Sequence, residues 1–153
     1  MKNKNERTKS LVIARPNYFQ GVLQLRSPNQ EVLDFVYSQV DKNDAVAITK
    51  TSKVPDGVDL YMTSQTFLRQ LGKKLRESFG GEMRTSARLH TRRKGKDLYR
   101  VTVFFKPWKF RRGDIVNIRG EDIRITSFGN RVFGKEMKTG RKVTIRLDDL
   151  PQD

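Results

Sequence analysis

The sequence predicts an α+β protein: a domain in which two helices cover an antiparallel or mixed sheet, followed by a small all-β barrel of SH3-like or OB-like type. Short segments of residues 15–106 alternate apolar and polar residues, as strands do, whereas two longer segments place apolar residues at helical spacing. Residues 107–153 contain only short apolar runs separated by glycines. We therefore expect an α+β domain over 15–106, a barrel over 107–153 and a disordered tail over 1–14.

The first predicted strand runs from Tyr18 to Arg26, where apolar residues alternate with polar neighbours. A helix should follow, with Ser27 as its N-cap and Pro28 at its first helical position. Its apolar stripe consists of Val32, Leu33, Val36 and Val40. Alternation returns from Asp44 to Lys53 and ends at Pro55-Asp56-Gly57, a combination typical of turns.

Val58 to Met62 is predicted as a short strand, and a second helix should begin after Thr63 or Ser64. One face of this helix is apolar, with Phe67, Leu68, Leu71, Leu75 and Phe79. Gly80-Gly81 should end the helix, because glycine accepts the left-handed conformation found after helix C-termini.

Two further strands are predicted, from Glu82 to Thr91 and from Leu98 to Phe105. The residues between them, Arg92 to Lys96, form a predicted hairpin loop with four cations and a glycine near its tip. Because a loop tip cannot bury four cations, they must face solvent or a partner. Asp97 can neutralise only one of them.

The composition indicates a polyanion as the partner. Lys and Arg total 32 against 17 Asp and Glu, which gives a net charge of +15 and a pI near 10.4. Residues 1–106 carry 21 basic and 10 acidic side chains, and residues 107–153 carry 11 and 7. An excess of this size favours nucleic-acid binding over a solvated surface, and no segment pairs a basic face with the broad apolar face that a membrane surface requires.

The candidate RNA-binding residues fall in three groups, on the second helix, around the basic hairpin and in the segment after it. They are Arg69, Lys73, Lys74, Arg76, Arg84, Arg88, Arg92, Arg93, Lys94, Lys96, Lys106, Trp108, Lys109, Arg111 and Arg112. Their cations can neutralise phosphates, and an exposed Trp108 could stack on a base. The alternative for Trp108 and Phe110 is packing between the two domains.

The residues needed for catalysis or metal binding are scarce. The chain has no cysteine, which excludes disulfides and thiolate-bound metals, and a single histidine, His90, which leaves no histidine cluster. No serine lies in a nucleophile motif, and the paired carboxylates at 56/59, 121/122 and 148/149 lack metal-ligand spacing. We expect no enzyme and no cofactor or metal.

Several runs of the first domain are similar to a known family. They are Pro55 to Tyr61, Phe67-Leu68-Arg69, Gly72 to Leu75, Phe79-Gly80-Gly81 and Leu98 to Val103. In this order they resemble archaeal members of the family of adaptors that accompany the pre-ribosomal large subunit out of the eukaryotic nucleus. The resemblance covers the chain from about Tyr18 to its end, and residues 112–150 resemble the SH3-like part of the family's region similar to initiation factor 5A.

The resemblance implies non-catalytic binding to the large ribosomal subunit near the tRNA sites and the stalk beside the exit site. Family members carry cysteine-rich zinc-binding modules at the N-terminus, so a chain without cysteine indicates either a fragment or a reduced homologue. We expect a cytoplasmic, monomeric protein that acts in subunit maturation or quality control. Its partners should be large-subunit rRNA and ribosomal proteins, without a membrane or a small-molecule substrate. The alternatives are a tRNA- or mRNA-binding translation factor, an RNA-processing enzyme and a basic protein–protein adaptor.

Overall fold

The computed structural model describes residues 18–150, so the predicted tail over 1–14 lies outside the described residues. The elements of the first part, in chain order, are β1 (Gly21–Arg26), α1 (Gln30–Asp41), β2 (Ile48–Val54), β3 (Gly57–Met62), α2 (Gln65–Phe79), β4 (Gly81–Arg93) and β5 (Lys96–Pro107). Those of the second part are β6 (Ile115–Ile118), β7 (Glu121–Ser127), β8 (Val132–Glu136), β9 (Lys142–Ile145) and a 3-10 turn (Leu147–Asp149).

The first part forms a five-stranded sheet in the order β2-β3-β1-β5-β4. The sheet is mixed, because β1 pairs parallel with β5 while every other pair is antiparallel. Alternate residues of the central strands are buried under the two helices, among them Leu23 on β1 and Val103 on β5. The buried stripes of both helices belong to the same cluster, so both helices cover one face and leave the other open. The predicted α+β class and the order of its elements are confirmed.

Helix α2 begins as predicted, since the Ser64 hydroxyl accepts a hydrogen bond of 3.1 Å from the backbone N–H of Phe67. Helix α1 does not. Ser27 was the wrong N-cap: it has a φ of 47°, and its N–H donates to the Asp56 carbonyl at 2.6 Å. Asn29 caps the helix instead, because its Oδ1 accepts from the N–H of Val32 at 2.9 Å.

Two predicted strands are shorter than the sequence pattern suggested. The first begins at Gly21 rather than Tyr18, and the second begins at Ile48 because Asp44 lies in a turn. Asn43 holds this turn, since its Oδ1 accepts from the N–H of Ala45 at 2.9 Å.

The second part is all-β, as predicted. Its four strands pair antiparallel in chain order, β6-β7-β8-β9, and no pair among residues 18–150 joins β9 back to β6. A separate hydrophobic cluster fills this part, with Ile125 and Val132 at its centre. The two clusters lie on either side of the predicted boundary at residue 106.

The two parts meet at the C-terminal end of α2. Gly80 has a φ of 73°, and a Cβ atom there would lie 2.5 Å from the ring of Phe128. The N–H of Trp108 donates to the Gly80 carbonyl at 3.2 Å, and Trp108 stacks on Phe110 with ring centroids 5.2 Å apart. We call this contact of Gly80, Trp108, Phe110 and Phe128 the joint.

Candidate nucleic-acid interface

The most prominent basic feature is a long hairpin formed by β4 and β5. Strand β1 pairs with β5 only from Val101 to Phe105, so residues 88–100 extend past the sheet as two strands. We call residues 88–100 the ribbon. Its two strands form five cross-strand pairs, which at ~3.4 Å each give a length of roughly 17 Å.

The ribbon ends in a two-residue turn, Lys94-Gly95. Both residues have positive φ, 52° and 76°, which identifies the type I′ turn that matches the twist of two antiparallel strands. The predicted loop over Arg92 to Lys96 is therefore too long, because Arg92, Arg93 and Lys96 continue the strands. The short turn brings the cations of both strands close together at the tip.

The ribbon carries six cations (Arg88, Arg92, Arg93, Lys94, Lys96 and Arg100) against one carboxylate. That carboxylate, Asp97, accepts from the Nε of Arg92 at 2.8 Å. Leu89, Leu98 and Tyr99 are 54%, 43% and 46% exposed. Exposed apolar side chains among an excess of like charges indicate a surface that a partner covers.

Strand β4 contains one extra residue within the ribbon. Leu89 pairs with Tyr99 and Thr91 pairs with Leu98, which leaves His90 without a position opposite it. This is a β-bulge, and it contains the only histidine of the chain. His90 is exposed. Among residues 18–150, no three His, Asp or Glu side chains lie close enough to hold a metal ion.

The basic residues of α2 form a surface of their own, apart from the ribbon. Arg69, Lys73 and Lys74 are exposed on the helix surface opposite the sheet, and Lys74 donates to the Gln39 side chain on α1 at 3.3 Å. Arg76 is half-buried. Arg84, in contrast, projects from the sheet face that the helices leave open, because it pairs with Phe104 rather than with a buried position. The predicted site residues thus form more than one surface.

The segment after β5 holds the two parts together. Trp108 is half-buried against Phe110 and Phe128 in the hydrophobic cluster of the second part, and its backbone N–H reaches Gly80 of the first part. Arg111 pairs with Glu31 at the start of α1 at 3.2 Å. A cleft of about 770 Å³ lies beside the joint, lined in part by Lys106 and Arg112.

Strand pairing also creates a basic row that the sequence did not indicate. Arg124 on β7 lies opposite Lys135 on β8, which lies opposite Lys142 on β9, and all three are exposed. These residues are 11 and 7 positions apart, so only the strand register reveals their proximity. Like charges directly opposite one another destabilise a sheet. We call these three residues the cation ladder.

Neither helix among residues 18–150 has the length and apolar composition that a bilayer crossing requires.

The paired carboxylates of the sequence contact other side chains: Asp59 binds Arg26 at 2.8 Å and Asp122 binds Asn117 at 3.0 Å. Asp149 lies 3.6 Å from Arg119.

Comparison with known proteins identifies the family. The family model for the second domain of NMD3 matches residues 18–106, more than half of the 153-residue chain. No curated protein matches the chain. The match ends where the joint segment begins, so the resemblance of residues 112–150 stays a prediction. The matched span contains the whole five-stranded sheet, both helices and the ribbon, and it gives the chain a ribosome-related role. This chain belongs to the NMD3 family.

Proposed function

We propose that the chain binds the large ribosomal subunit without catalysing a reaction, and that it does so during subunit maturation or quality control. In this proposal rRNA and ribosomal proteins are its partners, no cofactor takes part, and the chain acts as a monomer in the cytoplasm. The ribosome-related role of the family and the net charge of +15 support a ribonucleoprotein as the target.

The ribbon is the observation that carries the proposal. A two-stranded segment is only marginally stable in water by itself, and this one combines a net charge of +5 with three exposed apolar side chains. Phosphates would neutralise the cations, and a groove or crevice in rRNA would cover Leu89, Leu98 and Tyr99. A ribbon about 17 Å long can enter such a crevice, whereas a flat surface patch cannot.

The other basic surfaces extend the contact area. The exposed cations of α2 and the cation ladder belong to different parts of the protein, which the joint connects. Repulsion within the ladder costs stability in the free protein and is relieved when phosphates lie over it. The ladder therefore favours a binding role for the second part as well.

The test is co-sedimentation with purified large subunits at fixed ionic strength. The variant changes Arg92, Arg93 and Lys96 to Ser and Lys94 to Asn, because Asn tolerates the positive φ of a type I′ turn. We expect the fold to persist and the affinity to fall at least tenfold, about 1.4 kcal/mol. The control variant changes four exposed cations outside the predicted surfaces, Lys42, Lys53, Arg131 and Lys138, to Ser. It removes the same charge, so equal losses in the two variants would contradict a specific role for the ribbon.

Salt dependence gives an independent measure of the contact. If each of the six ribbon cations meets a phosphate, the logarithm of the affinity should fall with the logarithm of salt with a slope of about −4 to −5. An affinity that does not change with salt would refute the electrostatic mechanism. Stronger binding to tRNA or mRNA than to large subunits would favour a translation factor, and cleavage of radiolabelled RNA with a divalent metal would favour an enzyme.

A further inference from the structure

The face of the first sheet opposite the helices carries aromatic rings and cations in direct contact. Tyr61 on β3 projects from this face, because it pairs with Val22 while its neighbours Leu60 and Met62 are buried under the helices. The same alternation places Phe104 on the open face of β5, between buried Val103 and buried Phe105. We call this side of the sheet the open face.

Four side chains form a continuous row across one end of the open face. The Nζ of Lys50 lies 5.1 Å from the centre of the Tyr61 ring, and the Tyr61 ring meets the Phe19 ring edge-to-face at 4.9 Å. The Arg100 guanidinium lies 3.7 Å from the centre of the Phe19 ring. Three strands and the segment before β1 thus contribute to one row of alternating cations and rings.

A second pair of the same kind lies further along the sheet. The Arg84 guanidinium is 4.4 Å from the centre of the Phe104 ring, on neighbouring strands β4 and β5. Phe104 is two strands across from Tyr61 and two residues further along, so the Cα atoms of the two residues are about 12 Å apart from the standard strand spacings. All three rings are half-buried, which leaves part of each accessible to a ligand.

Within residues 18–150, neither helix packs on this face. The helices cover the opposite side, and the second part contacts the first at Gly80, at the end of α2. Cations held against ring faces keep their charge available, and a guanidinium stacked on one side offers its other plane to a second flat group. Such a surface recognises a ligand that combines flat aromatic groups with phosphates, as the bases and backbone of a nucleic acid do.

We propose that the open face binds single-stranded RNA by stacking unpaired bases on Tyr61, Phe104 and the Arg100 plane. Lys50, Arg84 and Arg100 neutralise the phosphates between these bases. A duplex keeps its bases stacked inside and cannot use the rings, so it binds the ribbon and not this face. An acidic protein would complement the cations but would leave the three rings without a role. The site shares Arg100 with the base of the ribbon and does not use the cations at the ribbon tip.

The experiment measures fluorescence anisotropy of a labelled, unstructured eight-nucleotide uridine RNA with the full chain, beside an RNA hairpin duplex of equal length. Tyr61→Leu removes the aromatic plane and retains an apolar side chain on the strand. The matched control is Tyr37→Leu, which removes an exposed tyrosine from α1. We expect Tyr61→Leu to weaken single-strand binding about fivefold or more and to leave duplex binding within about twofold, while the control changes neither.

The results separate this site from the ribbon. The ribbon variant should lose duplex and large-subunit binding and retain most of its single-strand binding. Unchanged single-strand binding by Tyr61→Leu, or equal losses for single strand and duplex, would overturn the proposal. Should Tyr61→Leu fail to fold, ultraviolet cross-linking of a 5-bromouridine oligonucleotide to the unmodified chain tests whether single-stranded RNA binds the open face. Adducts at Phe19, Tyr61 or Phe104 support the open face, and adducts confined to the ribbon refute it.

Discussion

Replacing Gly80 by alanine should disrupt the joint, and the structure gives the cost in two parts. Gly80 has φ 73° and ψ 142°, a region that residues with a Cβ rarely adopt, at a cost of about 1–3 kcal/mol. The added Cβ would also lie 2.5–2.8 Å from three atoms of the Phe128 ring. That ring cannot retreat freely, because it packs against Trp108 and Phe110. Overpacking of this kind costs a further ~1–3 kcal/mol, so Gly80→Ala should lose about 2–6 kcal/mol.

A double-mutant cycle separates the two parts. In a Phe128→Ala background the ring is absent, so Gly80→Ala should cost only its backbone strain, and the coupling energy should be about 1–3 kcal/mol. Urea unfolding followed by Trp108 fluorescence suits the measurement, because this only tryptophan lies 6.0 Å from Phe128. Equal costs of Gly80→Ala in the two backgrounds would refute the contact between the two parts.

Three further predictions concern the two sheets. Leu71→Ala opens a cavity under the sheet and should cost about 2–5 kcal/mol in thermal melts, whereas exposed Lys73→Ala should stay within about 0.5 kcal/mol; the reverse order would contradict the orientation of α2. Hydrogen bonds from the Thr139 hydroxyl and N–H lower the pKa of Glu136 from its ordinary value of 4.5. The charged carboxylate therefore stabilises the fold above pH 4.5, and this contribution disappears as the pH falls through the lowered pKa. Glu136→Gln should therefore destabilise the protein at neutral pH and make its free energy of unfolding less dependent on pH in the acid range. If the free energies of unfolding of the two proteins fell in parallel with decreasing pH, this role of Glu136 would be contradicted. Lys135→Thr relieves repulsion from its two cationic cross-strand neighbours and should raise stability by about 0.2–1 kcal/mol while lowering RNA affinity; a loss of stability would contradict the register of the ladder.

Elements with strong local signals could be predicted from the sequence, and their exact ends depended on tertiary contacts. Ser64 caps α2 because its hydroxyl reaches Phe67 within the same turn of chain. Ser27 has an equally suitable side chain, but its N–H binds the carbonyl of Asp56 from a distant turn, which holds Ser27 outside the helix. Asn29 then takes the cap. A contact between residues so far apart in sequence leaves no local pattern.

The candidate site could be predicted only where its residues are close in sequence. The basic tip of the hairpin was evident because Arg92 to Lys96 are nearly consecutive. The sequence did not indicate that Tyr61 and Phe104 belong to a binding site, because each occupies an ordinary position in an alternating strand. Only the sheet order places the two residues on the same face. Trp108 was ambiguous in the sequence, and the structure places it half-buried and stacked on Phe110.

The extra residue at His90 reverses which side of the ribbon the following side chains of β4 occupy. Arg88 lies on the same side as its partner Arg100, but after the bulge Arg92 lies beside Asp97 on the other side. Without the bulge, strict alternation would place Arg88 and Arg92 on one side and leave the reverse side without that guanidinium. The bulge therefore places the ion pair of Arg92 and Asp97 on the side of the ribbon that carries Leu89 and Tyr99, whereas Lys96 and Arg100 lie with Arg88 on the reverse side. Deleting His90 would keep the charge of the ribbon and move Arg92 away from the side of Asp97 to the side of Arg88.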